Sequence, residues 1–132
     1  MRRGLGNDAR YWDAMMAGRL ELPGCADCGR WRWPAPFRCA DCGSWNIEWR
    51  EVRIEGSLYS WTRTGHPFEG TQSLGSPYVT LCVELPHAGN IRLFGLLSDD
   101  AEPVIGMPLI GEVRTSHVMG MDIPALYWRA RP

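Results

Sequence analysis

A short cysteine motif occurs twice in this chain and constrains its fold more than any other feature. The pentapeptide Cys-Ala-Asp-Cys-Gly stands at 25–29 and again at 39–43, with nine residues between the two copies. A Cys-x-x-Cys pair places two sulfurs on one tight turn, and two such turns supply the four thiolates of a structural zinc site. The glycine after each pair suits a turn with positive φ. The predicted ligands of one structural Zn²⁺ are Cys25, Cys28, Cys39 and Cys42.

Four thiolate ligands leave no coordination position for water or substrate, so the predicted ion stabilises the fold and does no chemistry. An iron centre of the rubredoxin type uses the same ligands and stays an open alternative. A disulfide framework would require a secretory signal and an oxidising compartment. No apolar run follows the arginines at 2–3, and no stretch is long enough to span a membrane. We therefore expect a cytoplasmic protein with reduced cysteines.

Charge bears on the class of partner. All 14 basic residues are arginine, and the formal net charge is -1. Deprotonating four cysteines around one Zn²⁺ lowers that charge to about -3, which disfavours a nucleic-acid phosphate backbone as the partner. Arg30, Arg32 and Arg38 lie close to the cysteines in sequence. We expect them to compensate the negative zinc-thiolate centre, and contact with nucleic acid is the alternative.

The 132 residues provide room for one compact domain and a small module. Asn7 or Asp8 can cap a short helix that ends near Gly18, and short strands with Gly and Pro between them follow Trp45. The fifth cysteine, Cys82, lies in an alternating strand and is expected to be a packing residue. The predicted strands cover 47–55, 57–63, 78–85, 90–97, 108–115 and 126–129, with 86–90 as a hairpin loop. Such a pattern is typical of a small closed barrel, for which the five-stranded OB-fold is the usual example.

Several short motifs, taken in order along the chain, resemble one known family. Besides the two cysteine pairs they are Tyr11-Trp12, Leu20 to Leu22, Trp33-Pro34, Gly56 to Thr62, Pro77 to Val79 and Ile105 to Pro108. In this combination the chain resembles the DUF35 family, also called acyl-CoA-associated zinc-ribbon and OB-fold proteins. The resemblance covers nearly the whole chain.

The resemblance implies a mainly β protein with an N-terminal helical segment (1–22), a rubredoxin-like zinc ribbon (23–46) and a C-terminal five-stranded OB-fold barrel (47–132). It also implies a partner, because members of this family accompany subunits of the lipid-transfer-protein and thiolase superfamily that act on acyl-CoA thioesters. Those reactions include acyl transfer and retro-aldol cleavage of steroid side-chain acyl-CoA thioesters. By resemblance, this chain binds and stabilises such a subunit in a heterotetramer of two large and two small subunits. It would help to form the CoA-thioester entrance and would not be catalytic alone.

Two segments are candidates for contact with substrate or partner. The segment 63–77 is long for a hairpin connection and carries Arg63, His66 and Phe68, which offer phosphate, hydrogen-bond and apolar contacts. The segment 115–122 carries two methionines that could stay exposed for a partner. A mobile loop and core packing are the respective alternatives. The histidines are isolated in sequence, and no catalytic constellation is visible.

A different class of function stays open, because a zinc ribbon joined to an OB-fold is also a nucleic-acid-binding combination. Trp31, Trp33 and Phe37 stand among arginines and could stack on the bases of a single strand. The negative net charge and the absence of lysine argue against this alternative.

Overall fold

The computed structural model describes residues 7–132, so the segment predicted over 1–22 begins outside the described residues. Helix α1 (Ala9–Met16) packs Tyr11 and Met15 into the core, and Gly18 follows with φ +79°. The predicted short helix is confirmed. Asp8 occupies the N-cap position, but its side chain makes no capping bond; its carboxylate accepts a hydrogen bond from the indole Nε1 of Trp12 at 3.0 Å.

Two strands form a small separate sheet beside the helix. Strand β1 (Leu20–Cys25) is wholly buried and pairs antiparallel with β2 (Ile47–Val52), with Cys25 opposite Ile47. The sequence reasoning missed β1, because Pro23 and Gly24 are both unfavourable in strands. The prediction of a single strand over 47–55 was also wrong. Strand β2 ends at Val52, and it pairs with β1 and not with a barrel strand. The domain boundary at residue 47 stays a prediction.

The remaining strands close into a barrel. They are β3 (Glu55–Thr64), β4 (Tyr78–Leu85), β5 (Ile91–Leu97), β6 (Pro108–Val118) and β7 (Met121–Ala130). Their order around the barrel is β3-β4-β5-β7-β6, in which only β5 and β7 run parallel. The predicted mainly β architecture with a five-stranded OB-fold barrel is confirmed.

Strands β6 and β7 are longer than predicted because their turn is tight. Met119 and Gly120 both have positive φ, so the pairing continues up to Val118 opposite Met121. A two-residue turn of this kind matches the twist of the flanking strands. The predicted hairpin loop at 86–90 is confirmed, with Gly89 at φ +63°.

Alternation along β4 places Leu81, Val83 and Leu85 inside the barrel, as predicted. The largest fully buried side chain is Trp128, on β7. Its indole lies between Gly95 and Gly111, where an added Cβ would come within 2.5 Å and 2.7 Å of the ring respectively. Glycine is therefore required on both neighbouring strands, because any side chain there would overlap the tryptophan ring. In the described residues, no helix is long and apolar enough to cross a membrane.

Candidate metal centre and its surroundings

The structure brings the four predicted cysteine ligands together. Their sulfurs all lie within 4.8 Å of one another. The Sγ atoms of Cys25 and Cys42 are 3.5 Å apart, and those of Cys28 and Cys39 are 3.7 Å apart. A tetrahedral zinc ion with bonds of about 2.3 Å requires sulfurs about 3.8 Å apart. The four cysteines are therefore arranged to bind a metal ion, as in a structural zinc site.

Both cysteine turns have the same backbone geometry, and this explains their shared sequence. The N–H of Gly29 donates to the carbonyl of Cys25 at 2.8 Å, and the N–H of Gly43 donates to that of Cys39 at 3.0 Å. The two glycines have φ +77° and +76°, a region in which a side chain would be strained. The positive φ predicted for the glycine after each cysteine pair is confirmed.

The electrostatics of the four sulfurs favour a bound cation. The backbone N–H of Cys42 and the guanidinium of Arg32 lower the pKa of the Cys39 thiol to about 6. The N–H of Ser44 lowers the pKa of Cys42, but the sulfur of Cys25, burial, and the sulfurs of Cys39 and Cys28 together outweigh it and raise that pKa to about 11. Four adjacent thiolates repel one another, so all four ionise together only when a metal ion is present.

The arginines near the cysteines are tied to carboxylates and aromatic rings. Arg30 and Arg32 both pair with Asp41, which follows the third cysteine by two positions. Arg38 donates from Nε to the carbonyl of Gly43 at 2.6 Å, and its guanidinium lies 5.2 Å from the ring centroid of Trp45. Among the three, Arg32 also interacts with the sulfur of Cys39 and so compensates its negative charge directly, whereas pairing with Asp41 offsets part of the compensation expected from sequence.

The candidate residues of the segment 63–77 do not form one site. The rings of His66 and Phe68 touch edge to face with centroids 4.5 Å apart, and Phe68 is half exposed. Arg63 points elsewhere, because its Nη2 lies 3.3 Å from a Glu102 carboxylate and its guanidinium covers Trp61. Arg63 lines a cavity of about 310 Å³ near the start of β4, whereas Phe68 lines a separate one of about 230 Å³.

Both segments selected from the sequence meet in space. The N–H of Met119 donates to the carbonyl of Gly70 at 2.9 Å, and the hydroxyl of Ser73 donates to the carbonyl of His117. Met119 and Met121 remain exposed, as the sequence suggested they could. The loop and the β6–β7 turn therefore form one continuous surface, which the sequence separation concealed.

A larger groove was missed by sequence reasoning. It encloses about 840 Å³ between α1, the interval 30–38 and the hairpin formed by β4 and β5. Trp31 and Trp33 could have indicated it, but which side of them faces solvent depends on contacts with distant residues. The lining consists of Tyr11, Trp12, Trp31, Arg32, Trp33, Pro34, Pro36, Ala40, Gly89, Asn90, Ile91, Arg92, Leu93 and Phe94.

A four-cysteine ribbon placed ahead of a closed five-stranded barrel defines the class of zinc-ribbon and OB-fold proteins. Family models divide this chain in the same way. Residues 12–48 match the ChsH2 rubredoxin-like zinc ribbon domain, and residues 49–114 match the ChsH2 C-terminal OB-fold domain. The chain belongs to the ChsH2 family.

Two solved structures are similar to this chain. A chain of a protein described as Ltp2-ChsH2(DUF35) aldolase is similar over 98% of both chains, with 26% identity and a TM-score of 0.82. A DUF35 protein of unknown function from Sulfolobus solfataricus is similar over 96% of this chain and 86% of its own, with 17% identity and a TM-score of 0.61. The second likeness concerns the fold alone. The resemblance to DUF35 is confirmed, and no curated protein matches the sequence.

Proposed function

We propose that this protein is the accessory subunit of a thiolase-like enzyme. The observation that carries the proposal is its likeness, over 98% of both chains, to a chain of an Ltp2-ChsH2(DUF35) aldolase. Because the likeness includes the helix, the ribbon and the barrel, it is not limited to a common small fold. An accessory subunit binds and stabilises the large subunit, which holds the reacting groups.

The proposed substrate is an acyl-CoA thioester, and the proposed reaction is retro-aldol cleavage of a side-chain acyl-CoA, such as that of a steroid; acyl transfer is the second possibility. In this proposal Cys25, Cys28, Cys39 and Cys42 hold a structural Zn²⁺ that maintains the ribbon. A four-sulfur site has no position for substrate, so the chain would not be catalytic alone. Arg63, His66 and Phe68 are proposed to lie near the CoA-thioester entrance.

The proposed assembly is a heterotetramer of two large and two small subunits. The aromatic and arginine residues of the ribbon keep a nucleic-acid-binding module as the alternative. Their arrangement weakens that alternative at one of the three candidate rings, because Arg50 lies over Trp31, and Arg38 is engaged with Trp45.

One purification distinguishes these possibilities. The tagged chain is recovered from its native host at moderate salt with Zn²⁺ present, and proteins that co-purify stoichiometrically are identified by mass spectrometry. We expect a thiolase-fold subunit, and cleavage of acyl-CoA thioesters only by the recovered complex. Recovery of nucleic acid without such a subunit would refute the proposal. A tagged Cys28→Ser variant controls for capture by an unfolded chain.

A further inference from the structure

The groove between the ribbon and the barrel has the shape and chemistry of a docking site for a polypeptide. It is the largest of the described cavities, at about 840 Å³, and it is open to solvent. Its barrel wall ends in Phe94, which is 74% exposed on the outer face of β5. Phe94 is continuous with the tryptophans and prolines that line the groove, and a contiguous exposed apolar surface is typical of an interaction site.

The opposite wall belongs to the ribbon and has a fixed position. Trp33 contacts Tyr11 of α1 with ring centroids 4.7 Å apart. Trp31 lies against Gly89, where an added Cβ would come within 2.8 Å of its ring. Both tryptophans lie in the interval between the two cysteine pairs, so the metal site fixes the ends of this wall. The groove is therefore formed before any partner binds, which lowers the entropic cost of docking.

The charges of the groove select among occupants. Its only charged lining residues are Arg32 and Arg92, and no carboxylate lines it in the described part of the chain. Each guanidinium is already paired outside the lining, Arg32 with Asp41 and Arg92 with Glu84 at 2.9 Å. Arg92 also covers the ring of Tyr59 at 3.7 Å. The N–H groups that these contacts leave over suit carbonyl oxygens or a single carboxylate, and two partly neutralised cations favour a polypeptide over the several phosphates of CoA or of nucleic acid.

We propose that this groove receives an apolar segment of the thiolase-like subunit, with hydrogen-bond acceptors beside its apolar side chains. The inference rests on the proposed function, from which it takes the partner. It adds the surface: Phe94 and Pro36 contact the partner from opposite walls, and Arg92 hydrogen-bonds to it. The exposed surface at Phe68, Met119 and Met121 is then left for other contacts.

The experiment uses the full-length, Zn²⁺-loaded chain and the thiolase-fold subunit recovered with it. Phe94→Glu and Pro36→Glu each place a carboxylate in one wall, and Phe94→Leu keeps that wall apolar. Ile105→Glu is the matched control, because Ile105 is 61% exposed and does not line the groove. Circular dichroism and metal content are measured for every variant, so that a folding defect is not mistaken for a docking defect.

We expect each glutamate variant to raise the Kd for the subunit at least about 30-fold, because each buries an unpaired carboxylate in the interface and Phe94→Glu also removes an aromatic anchor. Phe94→Leu and Ile105→Glu are expected to stay within about threefold of wild type. Unchanged affinity in either glutamate variant, with the fold intact, overturns the inference and leaves the proposed function standing. A variant that keeps the subunit but loses retention on immobilised CoA also overturns it. If wild type recovers no thiolase-fold subunit, the proposed function itself fails.

Discussion

The barrel core can be tested through the two glycines that flank Trp128. An added Cβ at Gly111 would come within 2.7 Å of Trp128 Cε3 and 2.7 Å of Ile54 Cγ2, which are both side-chain atoms. At Gly95 it would come within 2.5 Å of Trp128 Nε1 and also within 2.5 Å of the carbonyl oxygen of Leu126. A smaller ring at position 128 can therefore relieve the first substitution, whereas the backbone oxygen still obstructs the second.

These contacts set the expected magnitudes. Overpacking a core of this kind costs about 2 kcal/mol for Gly111→Ala and about 3 kcal/mol for Gly95→Ala, where a backbone atom must move. Trp128→Phe alone costs about 2 kcal/mol through the space that it leaves. We expect the Gly111→Ala/Trp128→Phe double variant to be at least about 1 kcal/mol more stable than additivity predicts. With Gly95→Ala the coupling is expected to be below about 0.5 kcal/mol.

The measurement is urea-induced unfolding followed by far-ultraviolet circular dichroism at constant Zn²⁺ concentration. The free energies of unfolding are compared among variants that share the same dependence on urea concentration. Gly65→Ala is the control, because an added Cβ at this loop position would contact nothing within 4 Å. Equal coupling for the two glycines, or additivity for Gly111, would show that the indole is not the obstacle and would refute the reasoning.

Three further outcomes are expected. Cys28→Ser should lose the metal ion and unfold the ribbon, whereas Cys82→Ser should keep one ion. Metal content is measured by inductively coupled plasma mass spectrometry, and metal retained by Cys28→Ser would contradict the four-sulfur site. Burial raises the pKa of Tyr11 to about 12, so on raising the pH the unfolded state loses the phenol proton before the folded state does. The free energy of unfolding should therefore fall by roughly 2–3 kcal/mol between pH 10 and 12. Unfolding measurements on Tyr11→Phe should lack this fall. Arg63→Ala breaks an exposed ion pair and should lower the free energy of unfolding by less than about 1 kcal/mol; a larger loss would show that the residue supports the fold.

The barrel and the metal ligands were predictable because their signals are local. Alternation at 78–85 identified a strand with one buried face, and that strand begins at Tyr78 and ends at Leu85 as expected. The strand at 20–25 was missed because its proline and glycine oppose local strand formation, and burial against α1 and pairing with β2 outweigh that preference.

What the sequence determined by itself is the four-cysteine site and the barrel class. Two cysteines three positions apart are held together by one turn, whichever residues surround it, and a glycine at positive φ is dictated by the same turn. The tertiary structure alone decided that Gly70 meets Met119 and that Phe94 faces the groove between ribbon and barrel. Those contacts join residues distant in sequence, and they depend on how strands pair and which side of a packed ring stays open.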